Sequence, residues 1–247
     1  QKREGPPEVA RDFIDLFLDA STNDDIDNND GAFRADQAVA KVNTLDEVIA
    51  QGMLFVSAGY ETTSSTLAFI SWMLSKHPEA MQKCQEEVDD RCRNESISFD
   101  DCVSLPYLEA TIKETVRFYP VAAKGLARTC MHDTIVGDMK IEKGTCVTAD
   151  TYFVHFDKTV WGPDAEEFRP DRWLEDTRPT HPVAYMGFGL GPRLCVGMRL
   201  AMLEMKLMMA YLLRKYDLLD EGTNYELELN SFVTMWPTKT PVKIRSR

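Results

Sequence analysis

The sequence has no CxxC pair, no run of Lys and Arg, no apolar N-terminal segment, no internal repeat and no low-complexity stretch. Each absence removes a class of protein. Six cysteines (Cys84, Cys92, Cys102, Cys130, Cys146 and Cys195) are scattered over 247 residues, a spacing that suits neither a zinc site nor a small disulfide scaffold and leaves reduced thiols as the expectation. A formal net charge of -12 without a basic cluster argues against a nucleic-acid surface, because phosphate contacts need grouped cations. The start, Gln1-Lys-Arg-Glu-Gly-Pro-Pro7, is polar and does not begin with Met, so it shows no secretory or membrane address and is compatible with a processed or truncated product.

What is present is a globular composition, 44% hydrophobic, enough for one large core or two modest ones. Residues 9–20 place Phe13, Ile14, Leu16, Phe17 and Leu18 among acids, as a short amphipathic helix would. The acidic run that follows offers Asp25, Asp27 and Asn29 at calcium-loop spacing, but the required glycine falls on Asp30 and the twelfth position on Asp36, so a solvated loop is expected. Residues 1–43 thus read as a helix and acidic loop leading into the remainder, 44–247. Thr44-Leu-Asp-Glu47 is a capping box, and no proline follows until Pro78, which predicts one helix over 45–76, about 48 Å long.

From Met53 to Leu74 the only formal charge is Glu61. A membrane span is weighed and set aside, because Ser57, Thr62, Thr63, Ser64, Ser65, Thr66 and Ser71 make the segment too polar for lipid; a central helix buried in protein is expected. Within it, Ala58-Gly59-Tyr60-Glu61-Thr62-Thr63 has two readings. Each Thr back-bonds to a carbonyl four residues earlier, or the helix widens locally and aims Glu61 and Thr62 at a ligand or proton path.

His77-Pro78 breaks the helix and starts a charged surface helix to about Arg91. Asn94-Glu-Ser96 matches a glycosylation sequon, a three-residue pattern too frequent to carry weight. Pro106 opens a helix that closes before Tyr119-Pro120 and carries Glu114 and Arg117 on one face, exposed or buried. Thr134–Val136, Met139–Ile141 and Cys146–Thr148, punctuated by Gly137-Asp138 and Lys143-Gly144, predict a small antiparallel sheet. Trp161-Gly-Pro163 and Phe168-Arg-Pro-Asp-Arg-Trp173 predict irregular chain. Residues 225–229 alternate like a strand that 241–245 could pair with.

Phe188-Gly-Leu-Gly191-Pro-Arg193-Leu-Cys195-Val-Gly197 precedes a helix predicted from about Met198 to Tyr216. Glycines at 189, 191 and 197 allow tight turns and close approach of a flat ligand. Cys195 falls at the helix start, where orphan N–H groups and the positive dipole end favour a thiolate suited to binding metal, and Arg193 adds positive charge.

Four motifs in order resemble the C-terminal half of a cytochrome P-450, the haem-thiolate monooxygenase family. Phe188, Gly191, Arg193, Cys195 and Gly197 fit its Phe-x-x-Gly-x-Arg-x-Cys-x-Gly loop. Glu114 and Arg117 fit Glu-x-x-Arg, and Pro170 and Arg172 fit Pro-x-Arg. Ala58 to Thr63 fits the central-helix pattern. The wording between motifs is most similar to microsomal 3A-type members that oxidise drugs and steroids. The resemblance covers nearly all of the chain and about half of a family member, so the membrane anchor and early helices are expected outside it.

The resemblance implies a mainly α fold with small antiparallel β-sheets and haem b as cofactor. It implies Cys195 as the iron's axial ligand, in preference to His77, His132, His155 or His181. Arg193 and Arg128 would meet haem propionates, Glu61 and Thr62 would deliver protons, and Glu114, Arg117 and Arg172 would form an ion network supporting the loop. Implied partners are a hydrophobic small molecule, dioxygen and an NADPH-dependent reductase, with no nucleic acid. The full-length protein would sit on the cytosolic face of the endoplasmic reticulum membrane. Arg193, Arg199 and Lys206 could form a basic patch facing a reductase, although such charges are more often simply solvated. The alternatives are a haem-thiolate isomerase or synthase, against which the Glu61-Thr62 pair argues, and a non-catalytic truncated product.

Overall fold

The computed structural model describes residues 43–122, 126–174, 181, 183–222, 225–232 and 234–247. The helix expected over 9–20 and the acidic run after it lie outside the described residues. By contacts the chain forms two compact units, residues 1–60 and 61–247.

Helix α1 is Leu45–Lys76. Its start is closed by the expected capping box: Thr44 N–H donates to Glu47 Oε2 at 2.8 Å and Glu47 N–H to Thr44 Oγ1 at 3.3 Å. The segment 58–63 continues as regular α-helix, so the local widening entertained above is not seen. Burial along the helix also differs from the expectation. Phe69, Ile70 and Leu74 are fully buried, whereas Leu45, Ile49, Met53, Leu54, Val56 and Tyr60 are exposed. In the first half Val48 is buried as well, but the fully buried apolar side chains all lie in the second half.

Helices α2 (Pro78–Arg91), α3 (Phe99–Val103), α4 (Pro106–Phe118) and α7 (Met198–Lys215) build the main core. Leu74, Cys84, Val88, Leu108, Ile112, Met205, Met209 and Leu213 meet there. Each large apolar side chain fully withdrawn from water contributes about 1.5–3 kcal/mol. Helix α4 is entered through Pro106 in its first turn, and Glu87 of α2 accepts from the Tyr107 and Leu108 N–H groups at 2.8 and 2.9 Å. It stops where Pro120 excludes helical geometry from Tyr119. Helices α5 (Thr151–Phe156) and α6 (Lys158–Trp161) follow, and Pro170–Trp173 is a 3₁₀ turn within the stretch expected to be irregular.

Four two-stranded antiparallel sheets complete the described fold. Strand β1 (Ala127–Thr129) pairs with β4 (Cys146–Thr148), and β2 (Thr134–Val136) with β3 (Met139–Ile141). The single sheet expected here is therefore two, because the Gly137-Asp138 turn folds β2 onto β3 alone while β4 returns to β1. Helix α7 ends one residue earlier than expected and runs directly into β5 (Tyr216–Asp220), which takes β8 (Val242–Ser246) as its partner. The expected pairing of 225–229 with 241–245 does not form; instead β6 (Leu229–Ser231) turns back on β7 (Met235–Pro237). The fold is mainly helical with small antiparallel sheets, as the resemblance implies.

Candidate active site

The cysteine segment folds as a set of nested turns. Gly189 N–H donates to Met186 O at 3.0 Å, Leu194 N–H to Gly191 O at 3.0 Å, and Cys195 N–H to Phe188 O at 2.9 Å. A 3₁₀ turn at Gly191–Arg193 forms the tip. Gly189 has φ +81°, the left-handed region that glycine enters without steric cost, and a Cβ there would also meet the Arg193 carbonyl at 3.6 Å. Cys195 is exposed three residues before α7, whose first residue follows Gly197 with no side-chain cap. The orphan N–H groups of that helix start therefore face the cysteine's neighbourhood with nothing from their own cap.

Above the loop lies an open cavity of about 220 Å³. Val116, Val121, Leu126, Phe188, Ala201 and Met205 make most of its wall apolar, while Thr62, Thr63, Thr66, Arg193 and Cys195 supply polar groups. This volume is smaller than that of most small-molecule and cofactor sites, as suits a cavity open on one side. The hydroxyl of Thr66, beyond the 58–63 segment, donates to the Thr62 carbonyl at 2.8 Å.

Behind the cavity, Glu114 and Arg117 are fully buried and Arg172 is 3% exposed. Glu114 accepts from Arg117 Nε and Nη2 at 3.0 and 2.9 Å, from Arg172 Nε at 2.8 Å, from Arg169 N–H at 2.9 Å and from Trp173 Nε1–H at 2.9 Å. Arg117 Nη1 donates to the carbonyls of His155 and Ala165, both at 2.7 Å, and Nη2 also reaches Glu167 O at 3.2 Å. Arg172 Nη2 donates to Asp164 O at 3.0 Å and Glu167 O at 3.2 Å. The guanidinium fork of Arg117 is thus spent on a carboxylate and three carbonyls, the condition under which a buried charge is tolerable.

The remaining expected residues are distributed as follows. Thr62 lines the cavity. Glu61, its neighbour, is exposed and accepts from Thr234 Oγ1 at 2.5 Å. Ala58 is exposed on α1 within the smaller unit. Phe188 is half-buried in the cavity wall, Gly191 is exposed at the loop tip and Gly197 ends the loop. Arg128 lies exposed on β1, its guanidinium donating to the adjacent Ala127 carbonyl at 2.8 Å, and the structure does not bring it to the cavity wall. Of the basic patch, Lys206 is withdrawn: its side chain is 7% exposed and donates to Glu109 at 2.6 Å, neutralised inside the fold. The rival histidines 77, 132, 155 and 181 are not among the cavity-lining residues.

Three participants carry no local signature. Gly187 passes so close to α4 that a Cβ would stand 2.5 Å from Val116 Cγ1 and 2.6 Å from the Tyr185 ring. Trp173 anchors Glu114, and His155 bonds the cysteine loop to α4, contacts separated by tens of residues in sequence.

The cytochrome P450 family profile matches residues 2–244. The chain belongs to the cytochrome P450 family. It is 44% identical to CYP13A3 of Caenorhabditis elegans over 243 residues, 96% of this chain and 47% of that relative. It is 42% identical to CYP13A5 of the same organism over 248 residues, 98% of this chain and 48% of that relative. It thus spans about half the length of these relatives. Membership in the cytochrome P450 family implies haem iron with a cysteine thiolate ligand. The residues present fit such a group: a thiol at a helix start, an apolar wall for a flat ring and a guanidinium at the rim for a carboxylate. No helix among the described residues is long and apolar enough to cross a membrane.

Proposed function

We propose that this chain is the haem-binding part of a monooxygenase that oxidises a hydrophobic small molecule (a steroid, lipid or xenobiotic) with dioxygen and electrons from an NADPH-dependent reductase. The observation that carries the reading is the juxtaposition of Cys195, at the mouth of its turn, with a cavity that is apolar except for Arg193 and the hydroxyls of α1. Haem b, when bound, supplies oxygen activation at an iron whose thiolate ligand donates electron density. Cys195 Sγ would hold the iron and Arg193 would pair with a propionate, with Arg128, one of whose donors is given to the Ala127 carbonyl, as the second propionate partner. Phe188, Gly191 and Gly197 shape the loop, and Ala58 lies on the helix that also carries Thr62.

The apolar wall favours an apolar substrate. Thr62 offers a hydroxyl at the cavity surface, and Glu61 beside it is the acid that replenishes the proton, with Thr234 holding its carboxylate. Glu114, Arg117 and Arg172 position the loop and take no part in proton transfer. Similarity of wording to microsomal 3A-type enzymes supports an endoplasmic reticulum setting for the full-length protein, facing the cytosol. The test is dithionite reduction under carbon monoxide. The full-length protein should give the red-shifted Soret band of a thiolate-ligated haem and Cys195→Ser should not. A Cys195→Ser protein that keeps the band would refute the ligand assignment.

A further inference from the structure

We propose that His155 is a positioning residue of the cysteine loop: its imidazole tethers the Met186 N–H, at the loop's entry, to the Arg117 carbonyl on α4. The inference rests on the function proposed above only for what the loop does, since the tether itself is geometric. His155 is fully buried. Its Nδ1 lies 3.0 Å from Arg117 O, and Met186 N lies 2.9 Å from its Nε2.

A carbonyl can only accept and an amide N–H can only donate, so the two partners together fix the tautomer with the proton on Nδ1 and the lone pair on Nε2. Burial pushes the imidazole down to about 4, partly offset by the bond to the Arg117 carbonyl. The ring is therefore neutral at physiological pH, as a ring accepting from an amide has to be. Glu114 and Arg117 face it from α4, and Arg172 reaches it only through Glu114. Tyr185, the residue before Met186, stacks on the imidazole with ring centroids 5.7 Å apart and planes 10° apart, while Trp161 meets it edge-on at 6.3 Å.

This bond supplies a link the ion network does not make itself. Among the described residues, the hydrogen bonds of Glu114, Arg117 and Arg172 end on Trp173, Arg169 N–H and the carbonyls of His155, Asp164, Ala165 and Glu167. None of those groups belongs to the loop from Met186 to Gly197. His155 is held by that network through its carbonyl, and its ring passes the constraint on to Met186. Met186 O in turn closes the turn at Gly189, two hydrogen-bonded turns before Cys195. Displacing Met186 therefore shifts the base on which the cysteine turn is built.

Two variants separate the tether from simple space filling. In His155→Asn the amide can still donate to Arg117 but is too short to reach Met186. In His155→Gln the longer side chain can place its carbonyl oxygen where Nε2 stood and accept from Met186. Hydrogen exchange of the peptide containing Met186 is read on the full-length protein without haem, and the ferrous carbon monoxide spectrum on the same proteins with haem. His155→Asn should speed exchange of the Met186 amide by at least about tenfold and move part of the thiolate band to the neutral-thiol position, with His155→Gln staying within about threefold of the parent. Equal losses in the two variants, or unchanged exchange at Met186 in His155→Asn, would overturn the tether. If the parent itself gives no thiolate band while the exchange pattern holds, the haem reading fails and the tether stands.

Discussion

Arg117 is the residue whose surroundings were hardest to anticipate and whose loss should matter most. Glu114 and Arg117 three apart could equally be a surface pair stabilising by about 0.2–0.5 kcal/mol. The sequence could not decide, because Leu108, Ile112 and Val116 define one apolar face and α4 is covered on several. Its buried set includes Tyr107, Leu108, Thr111, Ile112, Glu114, Thr115, Val116 and Arg117. The helix keeps a strong apolar face, but burial extends past that face onto Glu114 and Arg117, which periodicity alone would leave to solvent. Burial changes the magnitude. Arg117→Ala removes one of the two guanidinium partners of the Glu114 carboxylate and leaves the His155 and Ala165 carbonyls without their arginine donor, for an expected loss of about 2–5 kcal/mol in urea unfolding and loss of haem. The double variant Glu114→Gln/Arg117→Ala should lose less than the sum of the two single changes, with a coupling of about 1–3 kcal/mol. Additive losses, or an Arg117→Ala protein with full haem content, would count against a coupled buried pair.

Elements bounded by local signals were legible, and elements defined by distant partners were not. The capping box at Thr44 and the break at Pro78 set both ends of α1, and Pro106 and Pro120 bracket α4. By contrast, nothing near 225–229 says that β8 belongs to β5, because that pairing is chosen by where α7 delivers the chain. The start of α4 shows the same dependence: its first N–H groups are satisfied not by a residue before Pro106 but by Glu87 on α2. Burial is the main influence on Glu87 and holds its carboxyl above the usual range, while the two N–H donors act the other way. Glu87→Ala leaves both donors unpaired at a half-buried helix end, for an expected cost of about 1–3 kcal/mol. Glu87→Gln, whose amide oxygen can still accept, should recover part of it. Thermal unfolding of the three proteins measures the order. Equal midpoints for Glu87→Ala and the parent would mean that water caps α4 as well as Glu87 does.

At the scale of the whole molecule, the candidate site's motifs were legible because they are local, each lying within a few residues on one helix or turn. Cavity shape was not, since Leu126, Val116, Phe188 and Met205 reach it from four separate places in the chain. The cavity is also open. Cys195, Gly191 and Arg193 are exposed in the described structure, and the chain spans 47% of one relative and 48% of another. Cofactor sites cover about 70–90% of a ligand's surface, and one open wall cannot do so. The 247-residue chain alone should therefore bind hemin at least about tenfold more weakly than the full-length protein, the ratio expected for losing about 1.4 kcal/mol of contact. Hemin titration followed at the Soret band compares the two, with Cys195→Ser in both to separate thiolate ligation from adsorption to exposed apolar surface. Equal affinities, both dependent on Cys195, would show that the loop and its cavity form a complete haem site without a second wall.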